Sequence, residues 1–103
     1  MSDDPARLSG LIDKIISSLG LAHQYHGWRV VSQWPQIVGP DISAVARADR
    51  FKEGVLTVIV EKDVWRQELE MQLDLILEKI WSRPGGRAVQ KIILRAGSIK
   101  EQN

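Results

Sequence analysis

At 103 residues, with 44% hydrophobic and 26% charged side chains and four prolines, the chain falls in the globular class. One domain is expected over residues 1–103, with an ordered core at about 6–96 and a mobile tail at 97–103. The absence of cysteine excludes disulfides, thiolate metal sites and thiol nucleophiles, and no apolar run approaches the roughly 20 residues of a membrane span; with a polar, acidic start, "MSDDPARLSG", a cytoplasmic protein that does not engage membranes is expected.

The formal net charge of +1 hides a division along the chain. Residues 51–82 hold four basic and seven acidic side chains, and residues 83–103 hold five basic and one acidic. Such segregation can set a basic surface on a nearly neutral protein.

From Arg7 to Gly20, Leu8, Leu11, Ile12, Ile15, Ile16 and Leu19 recur at three- and four-residue steps, which predicts an amphipathic helix. A second helix is predicted from about Ala22, carrying Tyr25, Trp28, Val30, Val31, Trp34, Ile37 and Val38 inward. Pro35 interrupts its hydrogen-bond ladder, so the chain bends at Trp34, and Gly39 with Pro40 stops it. The indole of Trp34 is expected to plug the inside of that bend.

Residues 44–51 predict a first strand and 55–61, "VLTVIVE", a second, joined through Gly54 as a hairpin. A long helix over about 64–82 turns Trp65, Leu69, Leu73, Ile76, Leu77 and Ile80 inward. "RPGG" ends it, and residues 88–96, "AVQKIILRA", predict a third strand parallel to the second. The fold class is therefore α+β: two layers in the order α-α-β-β-α-β, with a three-stranded sheet covered by helices on one face.

Catalytic patterns are missing. His23 and His26 are three apart but no carboxylate pattern completes a metal site, and Glu70, Asp74 and Glu78 read as a solvated helix face. No nucleophile elbow, Walker loop or dinucleotide fingerprint occurs. Neither enzymatic activity nor a cofactor is expected.

Binding is better supported. Leu56, Val58, Val60, Ile92 and Leu94 should face the helices, leaving Val55, Thr57, Ile59, Glu61, Lys91, Ile93 and Arg95 on the other side, joined by Arg47 and Asp49. Ile59 and Ile93 then form an apolar strip for protein contact, flanked by cations. Arg83, Arg87 and Lys91 cluster near the Gly-Gly turn, whose backbone N–H groups could meet a phosphate; a plain helix stop explains the same residues. Arg47, Arg83, Arg87, Lys91 and Arg95 are the expected phosphate contacts.

The pieces "WPQIVG" (34–39) with Ile42 and Ala46, "GVLTVIV" (54–60), "WRQEL" (65–69) and "KIILR" (91–95) occur in an order and spacing that resemble the DciA-like family of bacterial replication proteins. The resemblance implies a domain similar to a type II KH fold and to the N-terminal domain of the replication initiator. It also implies contact with the replicative DNA helicase and weak binding of single-stranded nucleic acid, without ATP hydrolysis by the domain. The G-x-x-G clamp of ordinary KH domains is absent, and "PGGR" does not replace it, so low DNA affinity is expected. Two other readings are a homodimerisation or protein-docking module using the Ile59/Ile93 face, and a KH-like RNA binder.

Overall fold

The computed structural model describes residues 10–12, 14, 15, 18 and 20–99. Of the expected first helix, residues 10–12, 14, 15 and 18 are helical, and the rest of that segment lies outside the described residues, as do 100–103 of the tail. The elements that follow are α1 (Ala22–Ser32), α2 (Trp34–Val38), α3 (Pro40–Ser43), β1 (Ala46–Lys52), β2 (Val55–Val60), α4 (Asp63–Glu70), α5 (Leu73–Trp81), a 3₁₀ turn (Gly86–Ala88) and β3 (Lys91–Ala96).

Pro35 opens a new helix. Gln33 ends α1 by donating its N–H to the Arg29 carbonyl at 2.9 Å, and its own carbonyl then accepts the N–H groups of Gln36 and Ile37. Pro35 sits in the first turn of α2, where its missing N–H has no intrahelical partner to lose. Gly39 closes α2 at φ +91°, a conformation that disfavours any side chain, and Pro40 starts α3. Trp34 is 3% exposed, and its Nε1–H donates to the Ala46 carbonyl at 3.0 Å. The indole thus fills the bend, as expected, and ties it to the first residue of β1.

The sheet order is β1-β2-β3, with β1 antiparallel to β2 and β2 parallel to β3. The two-layer α+β architecture is the one expected. Leu56, Val58 and Val60 are almost fully buried and pack with Ile92 against Val30, Trp34, Ile37, Leu69, Ile76 and Ile80. These side chains form one core between the sheet and the helices, the arrangement that removes both apolar surfaces from water.

Three expectations are corrected. The single helix over 64–82 is two helices: the Met71 and Gln72 N–H groups bond three residues back, to Glu68 and Leu69, which tightens the chain before α5 begins. The change of direction lets α4 lie over β2 and β3 while α5 turns toward α2 and the 3₁₀ turn. Trp65, expected in the core, is 43% exposed. It shares the inward face of α4 with buried Leu69, but stands in the helix's first turn, beside an open hollow. Trp28, also expected inward, is 62% exposed, because Gly27 and Val30 take the buried side of α1.

Candidate nucleic-acid interface

Strict alternation along β1 would put Arg47, Asp49 and Phe51 on one side. The register instead shifts between Ala48 and Arg50, so one extra residue is absorbed as a β-bulge. Ala46, Ala48 and Phe51 then pack with the core, while Arg47 pairs with Ile59, Arg50 with Thr57 and Lys52 with Val55. On the other side of β2, Val55 pairs with Lys91, Thr57 with Ile93 and Ile59 with Arg95.

Three rows cross the outer face as a result: Arg47–Ile59–Arg95, Arg50–Thr57–Ile93 and Lys52–Val55–Lys91. Strands in a sheet lie about 4.8 Å apart, so cations on β1 and β3 make two rails about 10 Å apart with an uncharged strand between them. Arg50, Lys52, Lys91 and Arg95 are exposed, Ile93 is 39% exposed and Ile59 is half-buried. Thr57, at the centre, is buried by its neighbours.

Asp49 is the acid placed among these strand cations. Its carboxylate lies 3.3 Å from Arg47 Nη1 and 3.6 Å from Arg50 Nε. The segment after β3 bounds the face: Gly97 donates its N–H to the Val60 carbonyl, and Arg47 Nη2 reaches the Ser98 carbonyl at 3.5 Å.

Arg47, Lys91 and Arg95 therefore share one surface with Ile59 and Ile93, and Arg50 and Lys52 join them. These last two were missed because alternation was applied without a bulge. The signal was present: Ala48 and Phe51 are apolar with two polar residues between them, a spacing that a period of two cannot satisfy. Arg83 and Arg87 lie against the helical layer. Arg83 Nη2 donates to the Gln36 carbonyl at 2.9 Å, and the Arg87 guanidinium stacks 4.5 Å above the Trp81 ring. Trp81 Nε1–H in turn donates to the Val89 carbonyl at 2.8 Å, fixing the approach to β3.

Elsewhere, Glu70, Asp74 and Glu78 are exposed and divided between α4 and α5. Among the described residues no group of three or more His, Asp or Glu side chains is placed to hold a metal, and no helix is long and apolar enough to cross a membrane.

The family described as "Dna[CI] antecedent, DciA" matches residues 7–94, which include β1, β2, β3 as far as Leu94 and the helices that cover them, with Arg95 just beyond the match. The chain belongs to the DciA family. Relatives are the UPF0232 proteins of Rhodococcus jostii (strain RHA1), 30% identical over 86% of this chain and 47% of that protein, and of Mycolicibacterium smegmatis (strain ATCC 700084 / mc(2)155), 31% identical over 91% and 50%. The UPF0232 protein of Mycobacterium tuberculosis (strain ATCC 25618 / H37Rv) is 28% identical over 86% of this chain and 48% of its own length. This DciA-family chain spans about half the length of the curated relatives it matches.

Proposed function

We propose that this DciA-family domain is a non-enzymatic adaptor of DNA replication that engages the replicative helicase and holds single-stranded DNA weakly on the outer face of its sheet. The observation that carries the DNA reading is the set of rows in which Arg47, Arg50, Lys52, Lys91 and Arg95 flank the strip of Val55, Thr57, Ile59 and Ile93. Cations on the rails suit phosphates, and the apolar centre suits the faces of bases. No Phe, Tyr or Trp lies among those nine residues, so stacking adds little and the affinity is low and strongly salt-dependent. Family membership supports the replication context.

The test is a salt titration of single-stranded DNA binding. Lys91→Glu/Arg95→Glu and Arg50→Glu/Lys52→Glu should each weaken binding roughly tenfold or more at low salt and flatten the log–log salt slope by roughly 1.4, about 0.7 for each lost phosphate contact. Arg83→Glu/Arg87→Glu should do less, since both side chains are engaged on the helical layer. Equal affinity of wild type and the two sheet-face variants would remove this face from the reading. Capture of the source organism's replicative helicase by the immobilised chain tests the adaptor role separately; failure to bind would leave only the DNA contact.

Asp49 provides a test with the opposite sign. Its carboxylate occupies Arg47 and Arg50 and repels phosphate, while both pairs are partly open to water and long at 3.3 and 3.6 Å, so they contribute only about 1 kcal/mol to folding. Asp49→Asn should therefore tighten single-strand binding several-fold with little change in the melting temperature. Unchanged or weakened binding would show that β1 is not in contact with the strand.

A further inference from the structure

Of the apolar surfaces that lie open to solvent among the described residues, two stand away from the sheet face and match each other in shape. One is a hollow of about 910 Å³ between the α2–α3 corner and the start of α4, walled by Val38, Ile42, Val45, Val64, Trp65 and Leu69. Val64 is 67% and Trp65 43% exposed, an unusual position for two large apolar side chains on a small domain. The other is the stripe Leu11, Ile12 and Ile15, at 50%, 48% and 57% exposure, in the N-terminal helical segment.

The two surfaces complement each other. A helix presents apolar side chains at three- and four-residue steps, which is how a helix fills an apolar groove. The hollow is bordered by Asp41 and Glu68 against one cation, Lys79. The segment from Arg7 to Leu19 carries Arg7 and Lys14 against one acid, Asp13. Opposite charge around matching apolar centres fixes orientation and disfavours other partners.

The chain's own segment is badly placed to fill its own hollow. Only Gly20 and Leu21 separate it from α1, which starts beside the β1–β2 turn, where His23 and Gln24 share a recess with Gly54 and Gln90. The hollow lies past the other end of α1, an 11-residue helix about 16 Å long. Docking within one chain would require the segment to double back along that whole length. A second copy has no such restriction.

We infer that two copies of this chain exchange their N-terminal helices, each laying Leu11, Ile12 and Ile15 into the Trp65 hollow of the other. The exchange is reciprocal, so it closes at two copies and leaves both cationic sheet faces open.

Sedimentation equilibrium over a wide concentration range tests this on the whole chain. Wild type should dimerise. Ile12→Asp/Ile15→Asp and Trp65→Ala should each weaken the dimer at least about tenfold, because one change places carboxylates in the contact and the other removes its central aromatic. Both alter exposed side chains, and unchanged melting would show that the fold is intact. Mixing the two variants should recover part of the dimer, since one hollow and one helix in each mixed pair remain unaltered. A monomer at every concentration would overturn the inference, as would a dimer that these variants leave intact. A dimer broken instead by Ile59→Asp/Ile93→Asp would place the interface on the sheet and overturn it equally. So would a wild-type monomer whose Trp fluorescence changes with Ile12→Asp/Ile15→Asp, because that would place the helix in its own hollow.

Discussion

Trp34→Ala should lower the melting temperature of the chain by more than about 10 °C. The indole is 3% exposed, touches the core from the bend between α1 and α2, and holds the Ala46 carbonyl at the start of β1. Truncating a buried Trp removes its transfer free energy and leaves a cavity, together about 3–5 kcal/mol. A domain of this size has a total stability of roughly 5–15 kcal/mol, and near the low end almost nothing would remain. Each lost kcal/mol lowers the melting temperature of a domain this small by about 4–8 °C, so the drop should exceed 10 °C. Trp34→Phe separates the two contributions: it keeps most of the apolar area and loses the hydrogen bond, a cost nearer 1–2 kcal/mol. Thermal denaturation by circular dichroism reads both. Melting of Trp34→Ala within a few degrees of wild type would mean that the bend is not what closes the core.

Much of this architecture could be read from the chain, because patterns that repeat over many residues report on burial. The bend at Trp34-Pro35, the stop at Gly39, the hairpin through Gly54 and the parallel third strand each rest on local chemistry that the tertiary structure does not override. The break between α4 and α5 is different. It contains neither glycine nor proline, and it arises because the helix must change direction between the strands it covers and the α2 corner it meets next. Trp65 fails for a related reason, since periodicity gives the face of a helix on which a residue lies, not how far the opposing layer extends beneath it. Trp28 fails because Gly27 and Val30 define the buried face of α1 and turn it outward. The candidate site was half legible. Lys91 and Arg95 follow from alternation in β3, whereas Arg50 and Lys52 depend on a bulge that shifts the register of one strand by one residue. Arg83 and Arg87 are close to Lys91 in sequence, yet the turn carries them to the helical layer, where Gln36 and Trp81 engage them.

The turn that redirects them supplies the other large effect. Gly86 is buried, and a Cβ on it would fall inside the contact distance of the Ile80 carbonyl oxygen, with the carbonyl carbon at 2.7 Å and Trp81 Cα at 3.2 Å. These are backbone atoms at the end of α5, so no rotamer change can relieve the overlap, and the 3₁₀ turn must separate from the helix. Gly86→Ala should therefore cost at least about 3 kcal/mol, at the upper end of overpacking effects. Gly85→Ala should cost less, although Gly85 has φ +77°, because the atoms its Cβ would meet belong to the His26 side chain, whose ring makes the nearest contacts and can move, and not to backbone. The pair also decides what the Gly-Gly turn is for. If its glycines serve the packing of β3 against α5, Gly86→Ala lowers the melting temperature, and the protein that remains folded binds single-stranded DNA as wild type does. If they cradle a phosphate, Gly86→Ala melts normally and loses DNA affinity instead. The burial of Gly86 against the Ile80 carbonyl favours the first result, since a backbone already closed onto a helix end has no open N–H surface to offer an anion.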